Sequence, residues 1–279
     1  MTLPVPTTET GRQGLEGLLA DPARALVGLD FDGTLAPIVD DPDQARAHPG
    51  VRAALDRLST RVGQVAVITG RPAAVAVEYG GLAGLHGLVV LGHYGLERWS
   101  EGHVEAPPDD AGVAAARDRL PALLSELGAP AGTTVEDKGR AVAVHVRRAS
   151  DPSAAMATVE PALRALAADH GLVVEPGRMV LELRPEGMDK GGALRSLTES
   201  ASPSAVVFVG DDLGDLAAFA AVEELRGTGV PGLLVCSGSD EVTELSDRAD
   251  LVVDGPAGVV DLLEAVTEEL VSRARPPGR

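Results

Sequence analysis

The stretch Ala25-Leu26-Val27-Gly28-Leu29-Asp30-Phe31-Asp32-Gly33-Thr34-Leu35 decides how this chain folds. Its first half is a short apolar run of the kind that forms a fully buried strand. Two carboxylates follow at i and i+2, so their side chains share one face of the extended chain. Gly33 then permits a sharp turn. Paired carboxylates at the tip of a buried strand suit phosphoryl chemistry: one attacks phosphorus, the other handles a proton, and both help to hold Mg²⁺. Asp and Gly are also ordinary turn residues after a strand, so the segment acquires its meaning from the rest of the chain.

Three further segments occur downstream. Val65-Ala66-Val67-Ile68-Thr69-Gly70-Arg71 is a second apolar strand ending in a hydroxyl and a glycine. Asp189-Lys190-Gly191 opens a helical stretch, and Val206-Val207-Phe208-Val209-Gly210-Asp211-Asp212-Leu213-Gly214-Asp215 is a third strand ending in an acidic turn. Each turn falls at the carboxyl end of a strand or the start of a helix, the edge where open α/β sheets gather ligands. Leu88–Leu91 adds another buried strand, and Val51, Ala54, Leu55 and Leu58 repeat at helical spacing after Pro49. The predicted fold class is α/β, with a Rossmann-like parallel-sheet hydrolase core.

The texture changes at Glu105-Ala106-Pro107-Pro108-Asp109-Asp110, a linker-like run. Beyond it come a helix over 113–127, a strand over 140–147, a helix over 152–170 and strands at 172–174 and 179–183. The strand over 140–147 alternates, with His145 and Arg147 on one face and Val142, Val144 and Val146 on the other, as in an antiparallel sheet with one polar face. Strand–helix alternation resumes from Lys190. The sequence thus predicts a core domain of residues 1–106 and 185–279, interrupted by a smaller inserted α+β cap domain at 107–184. A cap placed between these motifs can cover the active edge and exclude water. Residues before Pro22 read as a ragged lead-in with a short helix near Leu15–Ala20.

Hydrophobic residues make up 44% of the chain but aromatics only 2%, so the core must rest on Ala, Val and Leu. A formal net charge of -18 argues against nucleic acid or anionic membranes as partners. It also requires any phosphate site to be made locally positive by a metal, a Lys and backbone N–H groups. Cys236 is the single cysteine, so no intrachain disulfide exists. No apolar run approaches the ~20 residues needed to span a bilayer, and residues 1–10 lack the basic start and apolar core of a signal peptide. The expectation is a cytoplasmic monomer. Neither a Gly-Lys-Ser/Thr phosphate loop nor a Gly-x-Ser-x-Gly elbow is present.

In order and spacing the segments resemble the haloacid-dehalogenase-like hydrolases, over roughly Leu26 to Leu263. Gly92-His93-Tyr94-Gly95-Leu96-Glu97, Glu136-Asp137-Lys138 with Ala141–Arg147, and Gly177–Pro185 narrow the likeness: the chain resembles the trehalose-6-phosphate phosphatase family. That resemblance implies a Mg²⁺-dependent phosphatase that hydrolyses trehalose 6-phosphate through an aspartyl-phosphate on Asp30, with Asp32 as general acid and base. It implies Thr69 and the N–H of Gly70 as donors to phosphoryl oxygens, and Lys190 as charge compensator. Metal ligands fall on Asp30, the backbone carbonyl of Asp32, and Asp211, with Asp215 and Asp212 sharing metal support and helix capping in an order left open. Arg71 pairs with an acid or with substrate. Sugar contacts fall on Glu136, Lys138, Arg147, Arg178 and Glu182, and strand alternation adds His145. The chain departs from the family pattern in carrying Gly214-Asp215-Leu216 for Thr-Asp-Glu, Arg178 for Lys, and Tyr94 for a smaller polar residue or His. The alternatives are a phosphatase of another sugar or cyclitol phosphate (sucrose or mannosyl-glycerate type), a non-catalytic sugar-phosphate-binding domain, and a mutase.

Overall fold

A computed structural model of the chain describes residues 2–39, 41–177, 179–238 and 243–274. It divides into two units, residues 1–106 with 189–279 and residues 107–188.

The first unit runs α1 (Glu9–Ala20), β1 (Leu26–Leu29), α2 (Val51–Ser59), β2 (Gln64–Ile68), α3 (Ala73–Gly80), β3 (Leu88–Gly92), β4 (Glu97–Ser100) and β5 (His103–Glu105). The second holds α4 (Ala111–Glu126), β6 (Thr134–Asp137), β7 (Val142–His145), α5 (Pro152–Asp169), β8 (Leu172–Gly177) and β9 (Val180–Pro185). The chain then returns to the first unit through α6 (Lys190–Ala201), β10 (Val206–Gly210), α7 (Leu216–Gly227), β11 (Gly232–Gly238), α8 (Thr243–Arg248), β12 (Leu251–Asp254) and α9 (Gly255–Ala274).

Among the described residues the first unit forms an eight-stranded sheet, ordered β12-β11-β10-β1-β2-β3-β4-β5. The pairs from β12 to β3 are parallel, and β3-β4 and β4-β5 are antiparallel. Parallel strands covered on both faces must be apolar throughout, and all four residues of β1 are buried. Val27, Leu29, Val207 and Val209 pack with Leu18 of α1, Leu55 of α2 and Leu263 of α9. The alternate residues Leu26, Val206 and Phe208 pack with Leu194 of α6 and Phe219 of α7. With so few aromatics, the edge-to-face pair Phe208–Phe219 is a local exception in an aliphatic core (centroids 6.2 Å apart). Chain progression runs outward in both directions from the adjacent β1 and β10, so the order reverses between them. Ligand crevices of open sheets form at such a reversal.

The antiparallel β4 and β5 are missing from the sequence reading because Glu97, Arg98, Ser100, His103 and Glu105 carry no apolar run. The lead-in reading of the N-terminus is corrected: α1 is a full helix, capped by Thr8. Its glycines hide it by lowering helix propensity, yet they permit its docking. A Cβ on Gly14 would lie 1.9 Å from the carbonyl oxygen of Gly232. The buried Asp250 fastens the preceding segment, accepting from Thr8, Arg226 and the N–H of Leu234. Cys236 is buried in β11. No helix among the described residues is long and apolar enough to cross a membrane.

In the second unit, the sheet order is β6-β7-β9-β8, antiparallel throughout. Val142, Val144, Leu181 and Leu183 face α4 and α5, packing with Val113, Leu120, Val159 and Leu163. Register places Glu136, Ala143, Glu182 and Glu175 in one row on the opposite face. β7 ends at His145, and Arg147 stands in the following turn instead of on the strand. β9 runs to Pro185, and residues 107–188 group as one compact unit.

Candidate active site

Asp30 follows β1 directly, and its N–H donates to the carbonyl oxygen of Val209 on β10 at 2.9 Å. The chain then folds tightly on itself. Leu35 and Ala36 both donate to the carbonyl of Phe31 at 2.8 Å, and Gly33 donates to the carbonyl of Ala36 at 2.7 Å. Gly33 sits at φ 77°, and a Cβ there would lie 1.9 Å from a carboxylate oxygen of Asp211. Both observations demand glycine at this position. The turn is held from outside by the buried Ser237, whose hydroxyl donates to the Gly33 carbonyl at 2.8 Å.

The loop after β10 supplies the opposing acids. Asp212 caps the turn at 213–215 by accepting from the N–H of Gly214 at 2.9 Å. Asp215 points inward, fully buried, and accepts from the N–H groups of Asp211 and Asp212 at 3.0 and 3.2 Å. The capping and inward-facing positions are therefore divided, with Asp212 outside and Asp215 inside. Carboxylate oxygens of Asp30, Asp211 and Asp215 all lie within 4.8 Å of one another.

Lys190 is the counter-charge. Asp189 caps α6 by accepting from the N–H of Gly192 at 2.7 Å, which places Lys190 in the first helical turn. Its Nζ reaches Asp30 at 2.7 Å and Asp215 at 2.8 Å. Burial works against the Lys190 charge, but the carboxylates of Asp215 and Asp30 outweigh it and raise its pKa well above the usual range. Burial likewise raises Asp30 well above the usual carboxylate range; Lys190 opposes this and the neighbouring acids add to it. Asp211 is raised to about 7, first by burial and then by the charges of Asp215 and Asp212. Three carboxylates against one ammonium leave an excess of negative charge in a buried space. Such a site fits a divalent cation that accepts oxygen ligands, and Asp30, Asp211 and Asp215 are the residues that could hold it.

The remaining residues named from the sequence divide by unit. Thr69 is buried at the end of β2, with its hydroxyl 3.2 Å from the N–H of Arg71. Arg71 grips Asp32 in a fork, Nε and Nη2 each donating at 2.7 Å. Arg71 is thus engaged by an acid, and the Asp32 side chain is turned toward it. In the second unit Lys138 pairs with Glu182 at 2.6 Å and His145 with Glu136 at 2.7 Å. Arg147 is exposed and makes no ion pair among the described residues. Arg178 lies outside the described residues.

Three features escape the sequence reading. Ser237 follows the apolar run Leu233-Leu234-Val235-Cys236 as Thr69 follows 65–68, so a hydroxyl after a strand was the available signal. Arg184 and Glu175, paired at 3.0 Å on the polar sheet face, needed the β8-β9 register to be brought together. Glu97 accepts from the N–H of Ala73 at 2.8 Å, a contact between distant turns with no local pattern.

The family model described as trehalose-phosphatase matches residues 28–251. A trehalose-phosphate phosphatase of Mycolicibacterium paratuberculosis is 36% identical over an alignment of 268 residues that covers 93% of this chain and 65% of that protein. The chain thus spans less than two thirds of this relative's length. Among solved structures, the C-terminal domain of the C. albicans trehalose-6-phosphate phosphatase has a TM-score of 0.73 at 21% identity, covering 96% of this chain and 99% of that one. The C-terminal domain of a Candida albicans trehalose synthase regulatory protein has a TM-score of 0.68 at 13% identity, covering 95% and 99%. The fold is shared by an enzyme and a protein named as regulatory, so it does not decide activity. The sequence match extends across both units, and on it the chain belongs to the trehalose-phosphatase family.

Proposed function

We propose that this chain is a Mg²⁺-dependent phosphatase that hydrolyses trehalose 6-phosphate to trehalose and phosphate in trehalose biosynthesis. The observation that carries the reading is the buried cluster at the sheet reversal. There Lys190 bridges Asp30 and Asp215, and Asp211 completes a group of carboxylates whose charge one lysine does not balance. A binding domain has no need of so costly an arrangement, because buried charges in excess of their partners destabilise the fold.

Asp30 is the nucleophile. Its carboxylate oxygen forms a bond to phosphorus as the bond to the sugar oxygen breaks, and Asp32 gives that oxygen a proton. The aspartyl-phosphate is then opened by a water whose proton passes to Asp32, returning Asp30 and releasing phosphate. To reach the sugar oxygen, one Asp32 oxygen exchanges its Arg71 partner for it. Thr69 and the N–H of Gly70 hold phosphoryl oxygens, and Lys190 offsets the repulsion between Asp30 and an incoming dianion. Asp30, the Asp32 carbonyl, Asp211 and Asp215 would hold Mg²⁺, which would supply further compensation of phosphate charge. Glu136, Lys138, His145, Arg147, Arg178 and Glu182 contact the sugar. Two domains divide this work, residues 1–106 with 185–279 supplying the chemistry and the cap at 107–184 the sugar contacts. We further propose a cytoplasmic monomer without nucleic-acid partners.

A panel of sugar monophosphates tests the proposal, with phosphate release measured in Mg²⁺ and in EDTA. Trehalose 6-phosphate is expected to be the preferred substrate, and EDTA is expected to abolish release. Faster turnover of another sugar phosphate overturns the substrate assignment. An isomerised sugar phosphate instead of free phosphate makes the enzyme a mutase, and no release from any member leaves a binding domain.

A further inference from the structure

The turn that ends β3 places three consecutive residues at positive φ: His93 at 46°, Tyr94 at 55° and Gly95 at 98°. Two of them carry a Cβ, which is costly in this region, and such costs persist only where the surroundings hold the backbone there. The surroundings are the loop between β2 and α3. The His93 N–H donates to the Arg71 carbonyl, and the Tyr94 N–H to the Thr69 carbonyl, both at 2.9 Å. A Cβ on Gly92 would lie 2.2 Å from the Ala73 nitrogen, and one on Gly70 would lie 2.7 Å from the Tyr94 hydroxyl, so the two turns are in closest contact.

Glu97 joins them from β4. One of its oxygens accepts from the Ala73 N–H at 2.8 Å, at the head of α3, where a helix leaves donors unused. Pro72, the residue preceding this helix, makes no side-chain cap. The other Glu97 oxygen lies 3.8 Å from His93 Nε2. Arg71 stands between these anchors: its carbonyl is held by His93, Ala73 lies two residues on, and its guanidinium forks Asp32.

We propose that Glu97 is a positioning residue that, through Ala73 and His93, fixes the backbone from which Arg71 holds the Asp32 carboxylate. The proposal rests on the phosphatase reading above, in which Asp32 protonates the departing sugar oxygen. It separates Glu97 from residues that merely stabilise the fold. Sugar oxygens are poor leaving groups and need that proton, whereas nitrophenolate leaves with little help. Because kcat/KM reports only steps through phosphoryl transfer to Asp30, loss of Glu97 acts selectively on sugar phosphate.

The experiment compares wild type, E97A, E97D, E97Q, R71A and E97A/R71A in two readouts. The first is the Arg71 Nε–H resonance in the full chain, assigned by its absence from R71A. It is expected to broaden or vanish in E97A and to persist in E97Q, whose amide oxygen still accepts from Ala73. The second is kcat/KM for trehalose 6-phosphate and for p-nitrophenyl phosphate. E97A is expected to lose about tenfold on the first and about twofold or less on the second. In the R71A background the same substitution is expected to cost nothing further. Should E97A not fold, E97D, whose shorter chain withdraws the oxygen, replaces it. An unchanged resonance in E97A, equal losses on both substrates, or additive losses with R71A overturns the proposal. Wild type that splits only the aryl phosphate overturns the sugar reading, and the resonance then decides the role of Glu97 alone.

Discussion

The charged residues of the first unit and those of the second are arranged on opposite terms. At the sheet reversal Asp30, Asp211 and Asp215 are buried against the single ammonium of Lys190. On the polar face of the second unit acids have basic partners: Glu136 with His145, Glu182 with Lys138, Glu175 with Arg184. The first arrangement is unbalanced and is held by backbone N–H groups and a fixed turn. The second is balanced: Glu136 and Glu175 are reachable by water, while Glu182 and Arg184 are buried. An exposed pair such as Glu136–His145 is worth about 0–1 kcal/mol, so it opens at little cost, as the proposed exchange for sugar hydroxyls requires. On the proposed reading, chemistry uses a buried, fixed charge distribution and recognition a more exchangeable one.

The largest effect that tests this contrast is D30N. Removal of the proposed nucleophile is expected to lower phosphate release at least about a thousandfold, equivalent to about 4 kcal/mol of barrier. Because the amide also removes one of the mutually repelling buried carboxylates, D30N is expected to melt no lower than wild type. Activity that survives in clean protein, or a marked fall in melting temperature, breaks the picture of an active but overcharged cluster. K190A is the complement. It leaves Asp30 and Asp215 without their shared cation and is expected to cost about 3–5 kcal/mol of stability, read by denaturant unfolding, together with most of the activity. A K190A chain as stable as wild type shows that the cluster was not held by charge balance.

Proton linkage sharpens the same point. Asp211 titrates at about 7 in the folded chain, against about 3.9 when unfolded. Between those values the folded state binds more protons than the unfolded state, so its stability falls as pH rises through that window and levels off above it. The contribution reaches about 4 kcal/mol at the upper end, from about 1.4 kcal/mol per pH unit over the window. In metal-free protein D211N is expected to reduce this slope, the raised Asp30 and Asp215 keeping the remainder. Millimolar Mg²⁺, which binds the ionised acids, is expected to stabilise wild type more at pH 7.5 than at pH 5.5. Unfolding measured at both pH values, with and without the ion, checks each part. Equal stabilisation at the two places the ion elsewhere.

The two regions also differ in how far the sequence discloses them. The parallel core was legible because its strands are short apolar runs, and the candidate site residues fall where those runs stop: Asp30 after β1, Thr69 after β2, Asp211 after β10. What joins these turns was not legible. Ser237 on Gly33, Arg71 on Asp32 and Glu97 on Ala73 link positions 204, 39 and 24 residues apart, and periodicity carries no information at such separations. Helix α1 was obscured by Gly11, Gly14 and Gly17, whose low propensity is the condition of its close packing. In the second unit, alternation announced β7 but extended it past His145 to Arg147. The polar row on that sheet depends on register, which pairing sets and the linear sequence does not.

The smallest expected effect lies on that polar row. Glu182 is paired with Lys138 at 2.6 Å and stands 3.9 Å from an Arg184 nitrogen. If these contacts exchange for sugar hydroxyls, E182A removes one or two charge-assisted hydrogen bonds, each worth about 1.5–3 kcal/mol. The expected loss in kcat/KM for trehalose 6-phosphate is therefore about tenfold or more. R147A is expected to lose less, because an exposed arginine in a turn is less well ordered than an acid within a strand. A small aryl phosphate presents no sugar hydroxyls, so its turnover serves as the internal reference and is expected to change less than about twofold. Equal losses on the two substrates would mean that this row is only a solvated sheet face. The contrast between a chemical unit and a recognising unit would then fail on its second term while the acidic cluster kept its role.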